Sequence, residues 1–543
     1  DSSLLATYAI DTRASHGLAW GRTGMYSGTT DPSKPLPMKY HFLSGRHARR
    51  KAFLVLVIFV SLSCFLLYYV VTSLNTHALT VKAHRQRVAS LEKQILALEK
   101  EIVLGKRDLY KQNTVISDAL KSGVPDEVRR QLEQVQRSLH SLAVPRFKHR
   151  PETSHLDCRR LFHKDKRYMA EVGRSRIVLV ESTVLNMDCE SIRLRVLRSP
   201  QPLTGYGIAF ARIVHTDYEF LEEQLRANYS PENHYCYHVD SKSPTVFKER
   251  MTKLSTCLPN VYLTEDHLEV DGRTGKNVNF AHMACLKLLE KKGSWQYVVL
   301  QQTHDVVIRT NQELKRIFQA LNGSNDVEIG PCPAQNYDQR MKWDAESLGV
   351  FHNSTWRPSS EALKTPLFIV KGAVQASLSR EAVKWMTRVN LTKLIGQFNV
   401  GKQSTDEMLM SSLQIAEEWE MPGRFTRRCF LNDSLSYDAI TRMVQWRDTD
   451  SQCKAGFLRH SVCVLGIEDL PFIARYRHIL VNKMMPSFDY GAIACVSELL
   501  FNRTYLGQND HPLNMTFYEN LPTVRFHNSL NDTRLLCQAL RQL

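Results

Sequence analysis

The sequence lacks the short motifs that reveal many enzyme classes directly. It contains no G-x-G-x-x-G fingerprint, no P-loop, no H-E-x-x-H pair and no C-x-x-C pair. Dinucleotide binding, P-loop nucleotide hydrolysis, zinc peptidase chemistry and thioredoxin-like redox chemistry therefore have no motif to support them. Acidic residues are also in deficit, since 55 Asp and Glu stand against 71 Lys and Arg and give a net charge of +16. This excess is compatible with nucleic acid, with anionic ligands such as diphosphates, or with a solvated basic surface.

Long apolar runs are scarce too, and the one that is present predicts a membrane topology. Residues 52–74 carry no charge and are numerous enough to cross the roughly 30 Å hydrocarbon core as one helix. The positive-inside rule predicts residues 1–51 as a cytoplasmic tail, 52–74 as a signal-anchor and the remainder as luminal. A cleaved signal peptide is the rival interpretation, but the run exceeds a typical apolar h-region and no A-x-A-like site follows it. The flanking cations are Arg46, Arg49, Arg50 and Lys51.

The N-glycosylation sequons support a luminal location independently, because all of them follow the apolar run. So do the cysteines except Cys64, and an oxidising compartment would allow most of them to pair. A luminal chain meets no nucleic acid, so we expect no nucleic-acid partner. The sequon asparagines are Asn228, Asn322, Asn353, Asn390, Asn432, Asn502, Asn514 and Asn531.

The segment after the apolar run has a short heptad pattern, which predicts a coiled coil at about residues 81–104 within a stem of residues 75–150. Apolar residues recur in steps of three and four, with charged residues between them. Two interpretations remain open: a homodimer through the stem, or a plain solvated helix. Residues 151–543 are predicted to form the luminal catalytic domain. The heptad residues are Val88, Leu91, Ile95, Leu98 and Ile102.

From residue 206 the pattern alternates strands with helices, which predicts an α/β fold with a mostly parallel sheet. Predicted strands are 206–215, 235–240, 260–264 and 297–301. Thr216 to Glu219 is read as a capping box for a helix to about Asn228, and Ser243 as the N-cap of the next helix. Ligands of open α/β sheets bind outside the carboxyl ends of the strands. His215, Asp240 and residues 302–305 should therefore lie along one crevice.

Asp240 and Lys242, at the end of the second strand, form the first candidate site. The carboxylate could hold a ribose hydroxyl while the lysine approaches a phosphate. The alternative is that Asp240 only caps the turn into the following helix. A metal site would need a second carboxylate or histidine on this strand end, and none is present, so no metal is expected.

Ser404 and Glu407 form the second candidate, with capping-box spacing before an amphipathic segment. In one interpretation Glu407 only satisfies the Ser404 amide. In the other, a carboxylate in the first turn is kept anionic by the helix dipole and serves as a general base.

Arg459, His460 and Lys483 form the third candidate, a basic set near the C-terminus. Cations are what a departing diphosphate requires, because negative charge builds on the leaving oxygen. The alternative is solvated surface charge.

These candidates occur together in segments that resemble the core-2/I-branching β-1,6-N-acetylglucosaminyltransferase family, over residues 155–505. The likeness is greatest to a divergent, nematode-like branch. The segments are LRANY at 225–229, NHYCYHVDSKS at 233–243, TDE at 405–407, VQW at 444–446, VCV at 462–464 and NK at 482–483.

The resemblance implies an A-type glycosyltransferase fold on a single-anchor, type II Golgi membrane protein, and an inverting reaction without a metal. Glu407 matches the catalytic base and Lys483 a diphosphate-binding lysine. Glu346 and Trp446 match the acceptor site. The nucleotide-binding strand ends match Ile213, Val214, His215, Asp240, Ser241 and Lys242.

The resemblance also implies disulfides. The pairs are Cys158–Cys495, Cys189–Cys257, Cys236–Cys285 and Cys453–Cys463, and we add Cys332–Cys429 as a further hypothesis.

Three departures from the family pattern concern the donor. His460 stands where the family has an arginine, with Arg459 displaced by one; Arg273 lies in a replaced segment; and residues 302–305 differ. The predicted reaction is transfer of GlcNAc from UDP-GlcNAc, in β-1,6 linkage, to an O-glycan-type acceptor. UDP-xylose or UDP-glucose is the alternative donor, and an inactive membrane-anchored glycan-binding protein is the alternative of another class.

Overall fold

The computed structural model of the protein describes residues 147–197, 203–352, 354–356, 358–431, 435–447, 453–528 and 533–540. The predicted tail, anchor and coiled coil lie outside these ranges, as do Asn353, Asn432 and Asn531. In the part that is described, no helix has the length and apolar character needed to cross a membrane.

The main sheet of the described residues has five strands in the order β3-β2-β1-β4-β6. The pairs β3-β2, β2-β1 and β1-β4 are parallel, and only β6 runs antiparallel at the edge. A smaller sheet has the order β5-β10-β7, and β8 pairs with β9 as a hairpin. The mostly parallel α/β prediction is confirmed. The strands are β1 (Gly207–Val214), β2 (His234–Val239), β3 (Val261–Leu263), β4 (Trp295–Gln302), β5 (Val306–Val307), β6 (Ser377–Ser379), β7 (Arg442–Val444), β8 (Leu458–Arg459), β9 (Val462–Cys463) and β10 (Leu480–Asn482).

Helices cover both faces of the main sheet, as expected for parallel strands joined by crossovers. The α-helices are α1 (Cys158–Phe162), α2 (Lys166–Arg174), α3 (Cys189–Val196), α4 (Tyr218–Asn228), α5 (Thr245–Cys257), α6 (Val278–Glu290), α7 (Asn311–Leu321), α8 (Ala345–Leu348), α9 (Ser360–Lys364), α10 (Arg380–Arg388), α11 (Thr392–Asn399), α12 (Leu409–Gln414), α13 (Leu470–Ile473), α14 (Pro486–Tyr505), α15 (Met515–Glu519), α16 (Pro522–His527) and α17 (Thr533–Leu540).

Strand β1 is the centre of the sheet, and every residue in it is buried. Its side chains alternate between two hydrophobic clusters, because successive residues of a strand point to opposite faces. Phe210 packs in the cluster that contains Phe220 of α4, whereas Ala209 and Ala211 join the cluster that contains Leu286 of α6. The small alanines allow α6 to lie close to the sheet.

Two predicted helix starts are wrong in detail. Helix α4 begins after Asp217, which has a left-handed φ of 62° and makes no capping bond, so Thr216 is not the cap. The Glu219 carboxylate instead accepts from Arg150 and from the Ser182 amide. Helix α5 has Pro244 rather than Ser243 as its N-cap residue, because Pro244 itself has an extended ψ of 145° and the helix begins at Thr245. At α4, long-range partners thus replace the predicted local cap.

The described residues form five disulfides, and four of them are the pairs implied by the resemblance: Cys158–Cys495, Cys189–Cys257, Cys236–Cys285 and Cys453–Cys463. The hypothesis of a Cys332–Cys429 bond is wrong. Cys429 pairs with Cys537 of the C-terminal helix α17, and Cys332 is a free thiol.

The Cys429–Cys537 bond allows a matched test of this correction. We expect Cys429→Ser to lower the free energy of unfolding by about 2–5 kcal/mol, because the bond closes a long loop of the chain. Cys332→Ser should leave the thermal midpoint unchanged. Thermal unfolding without reductant measures both, and an equal loss in the two variants would contradict the assigned pairing.

The described sequons differ in accessibility. Asn322, Asn390 and Asn514 are exposed, and Asn502 is half-buried. Asn228 is only 5 % exposed, at the end of α4, and its carbonyl accepts from Tyr235 and Asn311. Asn228 is therefore the least accessible of the described sequon asparagines, and its glycosylation stays a prediction.

Candidate active site

The carboxyl ends of β1, β2 and β4 meet at one edge of the sheet, as the strand order requires. The His215 ring nitrogen Nδ1 lies 2.9 Å from Thr303 Oγ1, and Thr303 Oγ1 donates to the Ile213 carbonyl at 3.3 Å. The Asp240 amide donates to the Val214 carbonyl at 3.0 Å. The predicted crevice edge is therefore a connected set of polar groups.

Asp240 stabilises the turn that follows β2, which is one of the two roles expected from the sequence. Its Oδ1 accepts from the Lys242 amide at 2.9 Å and from the Val270 amide at 3.4 Å, and the residue is 7 % exposed. Ser241 donates its amide to Leu268. These bonds fix the end of β2, while a contact of Asp240, Ser241 or Lys242 with a nucleotide stays a prediction.

A buried aspartate after β4 supports the end of β10. Asp305 Oδ1 accepts from Asn482 Nδ2 at 2.7 Å and from Gln375 Nε2 at 3.2 Å, and Asp305 Oδ2 accepts from the Gln302 amide at 2.6 Å. Because Asn482 immediately precedes Lys483, the Asp305 carboxylate fixes the segment that carries the predicted diphosphate lysine.

The other two members of the predicted basic set, Arg459 and His460, lie at a tight hairpin. His460 and Ser461 connect β8 to β9 with left-handed φ values of 51° and 62°. A two-residue turn with both residues in this region matches the twist of the strands it joins. The turn leaves Arg459 and His460 exposed at its tip.

These cations lie close enough to Lys483 to affect its titration. Burial and then Arg459 lower the pKa of Lys483, which Asp305 partly opposes. Burial, and then Lys483, Arg459 and Arg273, lower the pKa of His460. Like charges held together in this way form a preorganised site for an anion. Within the predicted basic set, Lys483 and Arg459 are the cations, and the lowered pKa of His460 favours its neutral ring.

Glu407 is positioned differently from the sequence expectation. Ser404 has a left-handed φ of 54° and makes no side-chain cap, and helix α12 begins only at Leu409. The capping-box interpretation is therefore wrong, and the helix-dipole argument is weakened because Glu407 precedes the helix. The Glu407 side chain is free of the Ser404 amide and extends to another partner.

That partner is Lys371, which sequence reasoning missed. Lys371 Nζ lies 3.0 Å from Glu407 Oε2, and the Gly372 amide donates to the Glu407 carbonyl at 2.9 Å. Residue 372 must be glycine, because a Cβ there would lie 2.0 Å from the Glu328 carbonyl oxygen. One dipeptide thus holds Glu407 by both main chain and side chain.

Arg442 connects the Glu407 region with the cation cluster. Its guanidinium lies 3.7 Å from the Glu328 carboxylate and donates to Gln375 Oε1 at 3.2 Å. The same cation contributes to the lowered pKa of Lys483. Its carbon Cζ is 6.0 Å from the ring centroid of Trp446, which is 39 % exposed. An accessible indole beside this group is suited to packing against a sugar face.

A second carboxylate lies next to the base. Burial and the adjacent Glu407 charge raise the pKa of Asp406 to about 7, which Arg442 and Lys371 partly oppose. Asp406 and Glu407 together therefore carry less negative charge at neutral pH than two free carboxylates.

Two of the predicted site residues, Lys242 and Glu346, have exposed side chains. Lys242 Nζ pairs with Glu269 at 3.2 Å, and both side chains are more than half exposed. Glu346 lies in the first turn of α8, exposed to solvent. Its acceptor role stays a prediction.

The residues that sequence reasoning missed are Lys371, Gly372, Arg442, Gln375 and the supporting role of Asp305. None has a local signature, because each acts through partners far away in the chain. The one available signal for Asp305 was its position directly after a strand, at the edge where the crevice was expected.

Comparison with known proteins identifies a family model and several relatives that the chain is similar to. Residues 208–474 match the family model described as Branch: Core-2/I-Branching enzyme. The chain is 28 % identical over 352 residues to a β-1,3-galactosyl-O-glycosyl-glycoprotein β-1,6-N-acetylglucosaminyltransferase of Bovine herpesvirus 4 (strain LVR140), covering 62 % of this chain and 78 % of the relative. It is 27 % identical over 354 residues to a Mus musculus protein of that name numbered 3, covering 62 % and 79 %.

A solved structure of the mannosyltransferase Ktr4p from S. cerevisiae is also similar, at 14 % identity over 38 % of this chain and 56 % of that chain. The TM-score is 0.14, too low to support an argument.

Proposed function

We propose that the chain is a Core-2/I-branching enzyme, as the match of residues 208–474 supports, and that it transfers GlcNAc from UDP-GlcNAc to a glycoprotein glycan in β-1,6 linkage. The family is one of glycosyltransferases, and the named relatives act on β-1,3-galactosyl-O-glycosyl glycoproteins. The observation that carries the proposal is one site in which Lys371 positions the Glu407 carboxylate, while a hydrogen-bonded network from Arg442 through Gln375 and Asp305 supports the segment of Lys483.

The chemistry follows from these two parts. Glu407 accepts the proton of the acceptor hydroxyl as that oxygen attacks the anomeric carbon of the donor sugar. Lys483 and Arg459 stabilise the charge that develops on the departing diphosphate, in the role that a metal performs elsewhere, and His460 donates a ring N–H to the same oxygens. Attack on the face opposite UDP inverts the anomeric centre, so an α-linked nucleotide sugar gives a β-linked product.

The proposal also includes the membrane anchor of the catalytic domain and the compartment in which the domain lies. An A-type glycosyltransferase fold on a type II Golgi anchor at residues 52–74, with a stem at residues 75–150 and the catalytic domain at residues 151–543, would hold the site among secreted glycoproteins. The five disulfides of the described residues support an oxidising compartment.

The full-length chain, assayed for UDP release with a β-1,3-galactosyl-O-glycosyl glycoprotein as the acceptor, tests this function. We expect UDP-GlcNAc to be used in preference to UDP-xylose and UDP-glucose, and the rate to persist in excess EDTA because protein cations bind the diphosphate. Preference for another UDP-sugar would correct the donor. Complete loss of activity in EDTA would contradict the metal-free reaction. If no donor gave UDP release above that of a Glu407→Gln control, the proposal that the protein is a glycosyltransferase would be contradicted.

A further inference from the structure

A cleft of about 430 Å³, here called the basal cleft, lies at the amino ends of β1 and β4, at the opposite edge of the main sheet from the candidate active site. Tyr206, just before β1, is half-buried in its wall. Its floor contains Tyr297 of β4 and Phe318 of α7, whose rings stack with their centroids 4.6 Å apart. Pockets that hold small molecules have volumes of about 300–1,000 Å³, so the basal cleft has room for one.

The rim of the basal cleft is polar but offers no available charge of the kind that binds anions. Gln296 and Gln319 are exposed there, and their side-chain amides have no hydrogen-bond partner among the described residues. The Arg380 guanidinium is already engaged, because it donates to the Gly293 carbonyl at 2.6 Å. An aromatic wall below neutral amides suits a sugar ring, which has an apolar face of C–H groups and a rim of hydroxyls.

The sequon of Asn322, Gly323 and Ser324 lies at the mouth of the basal cleft, directly after α7. Asn322 is exposed and ends the helix with a left-handed φ of 48°. The Tyr297 hydroxyl accepts from the Gly323 amide at 2.7 Å and donates to the Ser324 carbonyl at 2.9 Å. These two bonds fix the backbone of the sequon to the floor of the cleft.

The Asn322 side chain can carry a sugar and keep its contact within the protein. Its Nδ2 has two hydrogens and donates one of them to Asn528 Oδ1 at 3.0 Å. In N-glycosylation of the newly made chain, Nδ2 displaces a lipid-linked diphosphate from C1 of the first N-acetylglucosamine and loses one proton. One N–C bond thus replaces one C–O bond, and the remaining N–H is still available to Asn528.

We propose that the glycan on Asn322 seats its first N-acetylglucosamine in the basal cleft, with the apolar face of the sugar against Tyr206 and its polar groups at Gln296 and Gln319. This inference rests on the luminal compartment of the proposed function, which supplies the lipid-linked oligosaccharide. The sugar is then a part of the fold that covers aromatic surface at the base of the sheet. It touches no residue of the candidate active site.

The test measures how fast peptide N-glycosidase removes each glycan from the folded, full-length protein made in a eukaryotic cell, with mass spectrometry of the glycopeptides as the readout. Asn390 is the internal reference, because it is exposed and does not line the basal cleft. We expect release at Asn322 to be slower by about tenfold or more, since a sugar seated in about nine-tenths of the molecules is accessible in the rest. After denaturation the two rates should be equal.

Gln319→Trp and Gln312→Trp separate seating of the sugar from crowding around the asparagine. Both glutamines are exposed on α7, but only Gln319 lines the basal cleft. An indole at position 319 fills the space of the sugar, so release at Asn322 should rise to the rate at Asn390, whereas Gln312→Trp should stay slow. If crowding alone protected the glycan, the added indole would slow its release further, and that result would overturn the proposal.

The remaining outcomes distinguish this inference from the function it rests on. Glycans on Asn390 and none on Asn322, or equal release rates at the two sites of the folded protein, would overturn the seat and leave the luminal compartment standing. A chain without a glycan at any sequon would contradict both. A protein with the expected slow release and no transferase activity would contradict the proposed reaction and leave the seat standing.

Discussion

Glu407→Gln is expected to reduce kcat for sugar transfer by about 10²–10⁴-fold, because glutamine cannot accept the acceptor proton. The amide has nearly the shape of the carboxylate, and the Gly372 amide still donates to the carbonyl of residue 407. Only the ion pair with Lys371 is lost, and that pair is partly exposed. Steady-state kinetics at saturating donor and acceptor measure the effect.

UDP affinity serves as the control for this variant. Glu407 contacts Lys371 rather than the cation cluster, so the Kd of UDP should be unchanged, which also shows that the variant is folded. Glu407→Asp should retain part of the activity, since it keeps a base but withdraws it by one methylene. A Glu407→Gln variant with wild-type kcat would exclude Glu407 as the base.

Lys483→Met is expected to weaken UDP binding and to reduce kcat by about 10²–10³-fold, the range found when one donor to a developing oxyanion is removed. Lys483 is half-buried and is fixed by its neighbour Asn482, whose amide group donates to Asp305. Methionine fills similar volume without the charge. The loss of UDP affinity and of kcat should therefore result from the missing positive charge and not from a cavity.

Lys384→Met is the matched control for the change in net charge. Lys384 lies on α10 and pairs with Glu381 on the surface at 2.6 Å. We expect its kinetics and UDP affinity to equal those of the wild type. Equal losses in the two variants would indicate a general effect of charge, and wild-type kcat in Lys483→Met would remove Lys483 from the diphosphate site.

Much of this fold can be predicted from the sequence, because the patterns that indicate its strands and helices are local and regular. The strands β1, β2, β3 and β4 appear as short apolar runs separated by amphipathic helices, and the parallel order follows from that alternation. Strand ends then place His215 and Asp240 at one edge without further information. These parts of the site were predictable.

The wrong predictions share a physical cause, which is competition from distant partners. Thr216 and Ser404 have good capping-box spacing, yet Glu219 bonds to Arg150 and Glu407 to Lys371. A charge-assisted bond to a distant cation replaces a local cap of comparable strength. Local spacing alone carries no information on such competitors.

The wrong disulfide hypothesis has a related explanation. Cys332 and Cys429 were paired only because neither had an implied partner, and the C-terminal helix α17, which supplies Cys537, has no resemblance to guide its placement. Cys332 instead lies near Lys371 and Glu407, and burial raises the pKa of its thiol to about 11.

The anomeric configuration of the product tests the central claim most directly. Nuclear magnetic resonance of the glycan formed from UDP-GlcNAc in excess EDTA reports both the linkage and the anomer. One carboxylate acting as a base, opposite a diphosphate held by protein cations, predicts a β-linked GlcNAc, and the named relatives indicate the 1,6 position. An α-linked product would contradict single displacement with Glu407 as the base.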